Sequence, residues 1–258
     1  VLSIYRPDSL FSQINQHAGK DFIPVSGEWF ELLKNLINLS RSARGYFDFT
    51  MGAYTQDPLL SQWKREKPLH GISFLELDED GEGVRLTSNR VVLDSGSFGK
   101  GYALDRIEGI LNKYRIHDAF ISFGESSILC RGSHPAGDSW KVGITDARKG
   151  EGTLHTFLCV NESVSISGNS PNNRVKYPGG HILRPQTGER IESLFTLAVK
   201  GAGSMKTEIL STALSVCPEK EIPGILVKFG DYEAVHIRYF DNREPEIQQY
   251  TNTQEDKG

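Results

Sequence analysis

The chain has 258 residues, a net charge of −4 and an isoelectric point of about 6.0. With 38% hydrophobic and 24% charged residues, it has the composition of a globular protein that buries a sizeable core. It lacks the basic excess of a nucleic-acid binder, and no apolar run approaches the roughly 18 residues of a membrane-spanning helix. We therefore expect neither a nucleic-acid partner nor a transmembrane segment.

Apolar periodicity predicts helices and strands that alternate along the whole chain, which indicates an α/β or α+β class. Residues 1–250 are expected to form one domain, followed by a polar tail at 251–258. Helices are predicted at 27–42, 100–114 and 205–216. A strand–turn–strand unit is predicted at 74–94, with Asp80-Gly81 as its turn. Further strands are predicted at 119–124, 129–132, 140–145, 156–160, 225–230 and 234–240.

Three cysteines, Cys130, Cys159 and Cys217, stand far apart among apolar neighbours. No CxxC spacing is present, so a zinc site is not expected, and buried thiols are the favoured interpretation. One disulfide bridge remains possible. The chain opens on Val1 inside a foldable pattern, which favours the loss of a signal or lipid-attachment segment.

The stretch "LDSGSFGKGYALDRI", residues 93–107, joins an apolar run to a helical pattern through small residues. A glycine-rich turn before a helix suits phosphate, because backbone N–H groups and the helix N-terminus face the ligand. Lys100 would add a full positive charge. The spacing matches neither the P-loop nor the dinucleotide motif, so a purely structural turn is the alternative.

A second cluster, "RGYFDFTMGAY", places Tyr46, Phe47 and Asp48 among further aromatic residues. Such a set could sandwich a flat ring and bind its polar edge. The alternative is an aromatic core cluster in which Asp48 caps the chain.

Two later motifs carry polar groups. His181 follows two glycines in "GGHILRPQTGE", a setting that favours a fixed, irregular backbone. In "KTEILSTAL", Glu208 and Thr212 are four residues apart on a predicted helix and share one face. Their hard oxygen atoms suit Mg²⁺, although Glu208 could equally lie in a structural first turn of the helix.

In order and spacing, these segments resemble the FAD:protein FMN transferases of the ApbE family. "GYFDFTMGAY" is similar to "aFDPTVGPL", and "LDSGSFGKGYALD" to "lDLGGIAKGYAVD". "ISFGESSILCRG", "SISGN", "HILRPQTGE" and "KTEILSTAL" resemble "vnlGGDi.a.G", "tSGdy", "HIIDPRTG" and "aDALSTAL". The match runs from about Ser3 to about Asp241.

The resemblance implies an α+β, T-fold-like architecture with mixed sheets and helices around an FAD cleft. It also implies Mg²⁺-dependent transfer of FMN from FAD to a Thr or Ser of a target flavoprotein, with release of AMP. Many family members are lipoproteins or exported proteins, so a periplasmic or envelope-anchored location is expected.

Site residues follow from the same motifs by position. The resemblance assigns FAD contacts to Tyr46, Phe47, Asp48, Ser97, Lys100 and Ile182. It assigns the metal to the Gly99 carbonyl, Glu208 and Thr212, and it places His181 at the transfer site, as a general base or an orienting group.

Several positions depart from the family pattern: Glu125, Asn169, Ser170, Arg184 and Glu208 itself, where the family has Asp. Three functions therefore stay open. They are a divergent FMN transferase, a catalytically altered protein that binds a flavin nucleotide or a partner, and an FAD pyrophosphatase that yields FMN and AMP.

Overall fold

The structure, a computed structural model, describes residues 2–54, 58–80, 82–170 and 182–252. The chain divides into two compact units, Val1–Gly99 with Pro185–Gly188, and Lys100–Arg184 with Glu189–Gly258. Both mix helices with antiparallel sheets, so the fold class is α+β. None of the helices in the described ranges is long and apolar enough to span a membrane.

The first unit combines short strands with two helices. Helix α1 is Leu10–Gln16 and α2 is Gly27–Ser42; strands β1 (Ile23–Pro24), β2 (Leu75–Asp78) and β3 (Gly83–Leu86) pair antiparallel in the order β1-β3-β2. Short 3-10 turns lie at Gly52–Tyr54, Pro58–Trp63 and Ile72–Phe74. Helix α2 buries an apolar face at the spacing read from the sequence, which includes Leu33 and Leu36.

Four phenylalanines form the interior of the first unit. Phe47 and Phe49 stack with ring centroids 6.1 Å apart, and Phe98 meets both rings edge-on. Phe11 of α1 completes the cluster. All four side chains are fully or almost fully buried, so the aromatic residues at 47 and 49 build core.

The second unit is built on a larger sheet in the order β11-β10-β9-β8-β5-β4, with antiparallel neighbours throughout. A separate hairpin pairs β6 with β7. The strands are β4 (Ala119–Phe123), β5 (Ser127–Arg131), β6 (Trp140–Thr145), β7 (Thr153–Cys159), β8 (Glu162–Asn169), β9 (Phe195–Gly201), β10 (Tyr232–Phe240) and β11 (Arg243–Thr251).

The two faces of this sheet are covered by different elements. On one face, Val164 and its neighbours pack against the β6–β7 hairpin through residues such as Val142 and Phe157. The other face carries helices α3 (Gly99–Lys113) and α4 (Ser204–Val216), with α4 against β8 and β9. Because side chains alternate along a strand, β8 sends Val164 to the hairpin and its serines to α4.

One predicted strand, residues 225–230, is wrong. The segment lies in helix α5 (Ile222–Phe229), which has Pro223 in its first turn and ends at Gly230. Proline at the start and glycine just past the end are typical of a helix. A short apolar run cannot be assigned to helix or strand by periodicity alone, which explains the error.

Candidate active site

The glycine-rich loop of the first unit is held by its own backbone and by Asp94. Asp94 Oδ1 accepts the Gly96 N–H at 3.1 Å, and the Gly99 N–H donates to the Ser95 carbonyl at 2.7 Å. Burial raises the pKa of Asp94. Ser97 lies half-buried in this turn, directly before α3 begins.

The aromatic motif runs beside this loop within the same unit. The Gly52 N–H donates to the Val92 carbonyl at 2.8 Å, and the Asp94 N–H donates to the Phe49 carbonyl at 2.8 Å. A Cβ on Gly52 would lie 2.8 Å from the Val92 side chain, so only glycine allows this approach. The structure thus brings together two motifs that are 40 residues apart in the sequence.

Asp48 is the centre of a polar cluster in the first unit. Its Oδ1 accepts the Thr50 N–H at 2.9 Å and the Thr50 hydroxyl at 2.7 Å. Its Oδ2 lies 2.9 Å from Nδ1 of His70. The Asp48 side chain is only 6% exposed and that of His70 25%. Since a carboxylate only accepts hydrogen bonds, Nδ1 of His70 is the donor in this contact, and Nε2 is the ring nitrogen that Asp48 does not bind.

Tyr54 closes the same cluster. Its ring meets the His70 imidazole edge-on, with centroids 5.5 Å apart, and its hydroxyl donates to the Pro68 carbonyl at 3.2 Å. Gly188 of the "RPQTGE" motif approaches the ring so closely that a Cβ would lie 3.1 Å from Tyr54 Cε1. Part of the histidine-containing motif is therefore packed against Tyr54.

In the second unit, helix α4 begins without a side-chain cap of its own, because its N-cap residue is Gly203. Asp105 of α3 caps the helix instead: its carboxylate accepts the Ser204 N–H at 2.6 Å and the Met205 N–H at 3.1 Å. Burial raises the pKa of Asp105, and the two backbone donors oppose that shift. An acidic group at a helix N-terminus fixes the start of α4 against α3.

Glu208 lies one turn further along α4, with its side chain only 4% exposed. Its Oε1 accepts a hydrogen bond from the Lys100 ammonium, and its Oε2 accepts the Gly101 N–H at 2.5 Å. A Cβ on Gly101 would overlap the Ser204 carbonyl, so glycine is required where the helices cross. The result is a buried carboxylate held by one charged and one backbone donor.

Serines line the face of α4 beside Glu208. Ser211 contacts the hydroxyls of Ser165 at 3.0 Å and Ser167 at 2.9 Å, and it donates to the Glu208 carbonyl at 3.0 Å. Ser163 contacts Ser204 at 2.7 Å. Thr212 follows Glu208 by one helical turn and is half-buried. These hydroxyl contacts join α4 to β8.

The remaining predicted residues are placed as follows. The Phe47 side chain is buried in the phenylalanine cluster, so a contact with FAD through its ring does not fit its position and only its backbone stays a candidate. Tyr46 and Ile182 are half-buried, and the Ile182 carbonyl accepts the Ile191 N–H at 3.0 Å. His181 lies outside the described residues.

The predicted metal site has few acidic ligands. Across the described ranges, no three His, Cys, Asp or Glu side chains are grouped to hold a metal ion. The predicted set has one carboxylate, Glu208, and otherwise neutral oxygens. Each Glu208 oxygen accepts one hydrogen bond and retains a further lone pair, so the donor chemistry fits Mg²⁺ provided that Lys100 releases the carboxylate.

Two residues that position groups of the candidate site, His70 and Asp105, were not predicted from the sequence. His70 is 22 residues from Asp48, and no spacing rule joins them. Asp105 was visible as the last residue of "KGYALD", one turn after Gly101 on the predicted helix, but its target at the start of α4 depends on tertiary packing.

Comparison with known proteins covers most of the chain. The model of the ApbE family matches residues 1–236. The chain is 23% identical over 242 residues to an FAD:protein FMN transferase of Vibrio cholerae, covering 85% of this chain and 70% of that protein. It is 26% identical over 239 residues to one of Chlamydia muridarum, covering 86% and 72%.

Solved structures agree on the fold. The flavin transferase ApbE from Vibrio cholerae superposes with a TM-score of 0.78 at 21% identity, covering 98% of this chain and 83% of that one. The apo form of the Pseudomonas stutzeri flavinyl transferase ApbE gives 0.77 at 24% identity, covering 96% and 80%. With a family model that spans both compact units, the chain belongs to the ApbE family.

Proposed function

We propose that this protein transfers FMN from FAD to a Thr or Ser hydroxyl of a target flavoprotein and releases AMP. The curated relatives share the name FAD:protein FMN transferase, which supports a transferase. The single observation that carries the proposal is the buried Glu208 carboxylate, held by Lys100 and the Gly101 N–H where two family motifs meet.

The proposed reaction is one displacement at phosphorus. The acceptor hydroxyl oxygen attacks the phosphorus on the riboflavin side of FAD, and a new P–O bond forms as the bond to the bridging oxygen breaks. AMP leaves with that oxygen, and the hydroxyl proton passes to a base. We assign that base to His181 from its motif. Such a reaction needs in-line positioning and charge neutralisation more than covalent help from protein.

Mg²⁺ is the proposed metal, held by Glu208, the Thr212 hydroxyl and the Gly99 carbonyl. When bound, it would neutralise charge on the pyrophosphate and on the leaving AMP. Lys100 is the counter-charge of Glu208 in the structure. Freed from that carboxylate, its ammonium would bind the same phosphates, together with the loop around Ser97.

FAD contacts in the first unit are proposed for the Asp48–His70 pair and for Tyr46. Both Asp48 oxygens accept hydrogen bonds from Thr50 or His70, and we assign the FAD contact of the pair to Nε2 of His70. The backbone of Phe47 and that of Ile182 complete the proposed set. An envelope location and a lipid anchor stay predictions.

Two departures from the family pattern are explained by local structure. Asn169, where the family has an acid, is fully buried and donates to the Ile191 and Ser193 carbonyls at 2.8 and 3.2 Å. Arg184 donates to the Val216 carbonyl at 3.3 Å. Both side chains therefore hold backbone in place within the second unit.

The experiment incubates the purified chain with FAD, Mg²⁺ and the acceptor protein of a curated relative. AMP release with covalent flavin fluorescence on the acceptor supports transfer. AMP with free FMN would indicate the pyrophosphatase. Bound FAD without either product would indicate a catalytically altered protein and would overturn the proposal.

A further inference from the structure

Two thiols lie side by side in the core of the second unit. Cys130 in β5 and Cys159 at the end of β7 are both fully buried and belong to one hydrophobic cluster, between the larger sheet and the β6–β7 hairpin. Contact with the Cys159 thiol, together with burial, raises the pKa of Cys130. Strands β5 and β7 do not pair, so the contact joins two separate sheets.

The backbone around both cysteines fixes this arrangement. After Cys159, the chain turns through Asn161 at φ 55° and enters β8 at Glu162, which is the register partner of Cys130. The Gly132 N–H donates to Asn161 Oδ1 at 2.8 Å, so the residues two positions after each cysteine are bonded.

A second bond secures the other side of the pair. Trp140 is the register partner of Cys159 in the hairpin. Its indole N–H donates to the carbonyl of Arg131, the neighbour of Cys130, at 2.9 Å. Contacts on both sides therefore hold the backbone at Cys130 and at Cys159 in place, independently of the thiols themselves.

The surroundings limit what this pair can do. Burial and a raised pKa disfavour the thiolate, so a nucleophilic role does not fit. No third metal-ligating side chain is grouped with the pair in the described ranges. Cys217 lies elsewhere, half-buried at the end of α4, with its thiol directed at the Leu214 carbonyl.

We propose that Cys130 and Cys159 form a disulfide that ties the β6–β7 hairpin to the larger sheet when the chain folds in the presence of a disulfide oxidant. The two S–H bonds break and one S–S bond forms. The two electrons and two protons pass to the oxidant's disulfide, which becomes two thiols. Because the folded core encloses both sulfur atoms, the exchange takes place before the hairpin packs. The bridge closes a loop of about 30 residues and stabilises the fold.

The test refolds the reduced, denatured full chain in a mixture of oxidised and reduced glutathione, alkylates free thiols and maps the peptides. We expect one alkylated cysteine, Cys217, and a linked peptide that contains Cys130 and Cys159. Adding dithiothreitol should lower the thermal midpoint by about 5–15 °C. Three alkylated cysteines after refolding, or a bridge to Cys217, would overturn the proposal.

Two variants serve as controls. Cys217→Ala should keep both the bridge and the response to dithiothreitol. Cys159→Ala should lose both, and a Cys159→Ala protein whose midpoint still responds to dithiothreitol would contradict the assignment. The wild-type thiol count decides the question even if that variant folds poorly, and it does not depend on the proposed transferase activity.

Discussion

Replacing Glu208 by Gln perturbs the buried carboxylate of α4 without changing its size. The two Glu208 oxygens accept from two donors, the Lys100 ammonium and the Gly101 N–H. A glutamine amide has one oxygen and one NH₂ group. Its oxygen can serve one of the two donors, and its nitrogen must then face the other. The variant therefore leaves one donor without an acceptor.

The stability lost in Glu208→Gln depends on how deeply the unpaired donor is buried. A buried donor without a partner costs about 1–3 kcal/mol, and breaking a fully buried ion pair costs about 3–5 kcal/mol. The Lys100 side chain is 35% exposed and can turn to water, which favours the smaller range. We expect Glu208→Gln to destabilise the metal-free chain by about 1–3 kcal/mol, equal to a fall of about 2–12 °C in the thermal midpoint.

The assay is thermal unfolding with and without Mg²⁺, run beside the AMP-release reaction. Added Mg²⁺ should raise the wild-type midpoint, because a ligand that binds the folded chain stabilises it, and should leave the Glu208→Gln midpoint unchanged. The variant should also lose Mg²⁺-dependent AMP release. Glu79→Gln makes the same chemical change on a side chain that is 64% exposed and should stay within about 1 kcal/mol of wild type.

The stability role and the metal role of Glu208 can fail independently of each other. A Glu208→Gln midpoint equal to that of wild type in EDTA would show that the two hydrogen bonds do not hold the carboxylate as described. A Mg²⁺ response that survives in the variant would remove Glu208 from the metal site, whatever the stability result.

Three further predictions concern the packing that positions this site and the core. Gly101→Ala should destabilise the chain by about 1–3 kcal/mol in thermal unfolding, because its Cβ would overlap the Ser204 backbone. Gly109→Ala, on the same helix with open space around it, should instead be neutral or stabilise the chain by up to about 1 kcal/mol. Equal effects would contradict the close helix crossing. Asp105→Asn keeps one acceptor for two N–H donors and should cost about 1–2 kcal/mol in denaturant unfolding, so an unchanged midpoint would rule out the cap. Burial lowers the pKa of His236 in the folded chain, so below the ordinary histidine pKa of about 6.5 the unfolded chain binds more protons than the folded chain. The free energy of unfolding should therefore fall as pH falls through that value, by at most about 1.4 kcal/mol per pH unit. His236→Phe should flatten this dependence in unfolding measured from pH 7 to 5, and an unchanged slope would assign it to other groups.

Much of the fold could be predicted from the sequence because long periodic segments carry their own signal. The predicted helix at 27–42 matches α2, and α3 and α4 begin within one residue of prediction. The strand prediction at 225–230 failed because a run of six residues, with large apolar side chains at four of them, does not separate a helix from a strand, and Pro223 was the missed signal. The alternating serines at 163, 165 and 167 carried the period of β8, but only Ser165 and Ser167 were interpreted, as part of the motif SISGN.

The site was only partly predictable, for a different reason. Glu208 and Thr212 are four residues apart on a helix, so their common face on α4 could be predicted from the sequence, and their role as metal ligands stays a prediction. Their surroundings could not, because Lys100 and Asp105 reach α4 from about 100 residues away. The role of Phe47 could not be predicted from its motif, because an aromatic residue there fits a ring-binding site and a hydrophobic core equally well until its burial is known.

The ratio of AMP released to FMN attached is the most direct test of FMN transfer by this protein. With FAD, Mg²⁺ and an acceptor protein that presents a target Thr or Ser, transfer predicts one AMP for each flavin bound covalently to the acceptor. Both products should be lost when the target residue is replaced by Ala. AMP release that continues without covalent flavin, or no AMP release at all while FAD stays bound, would contradict the account.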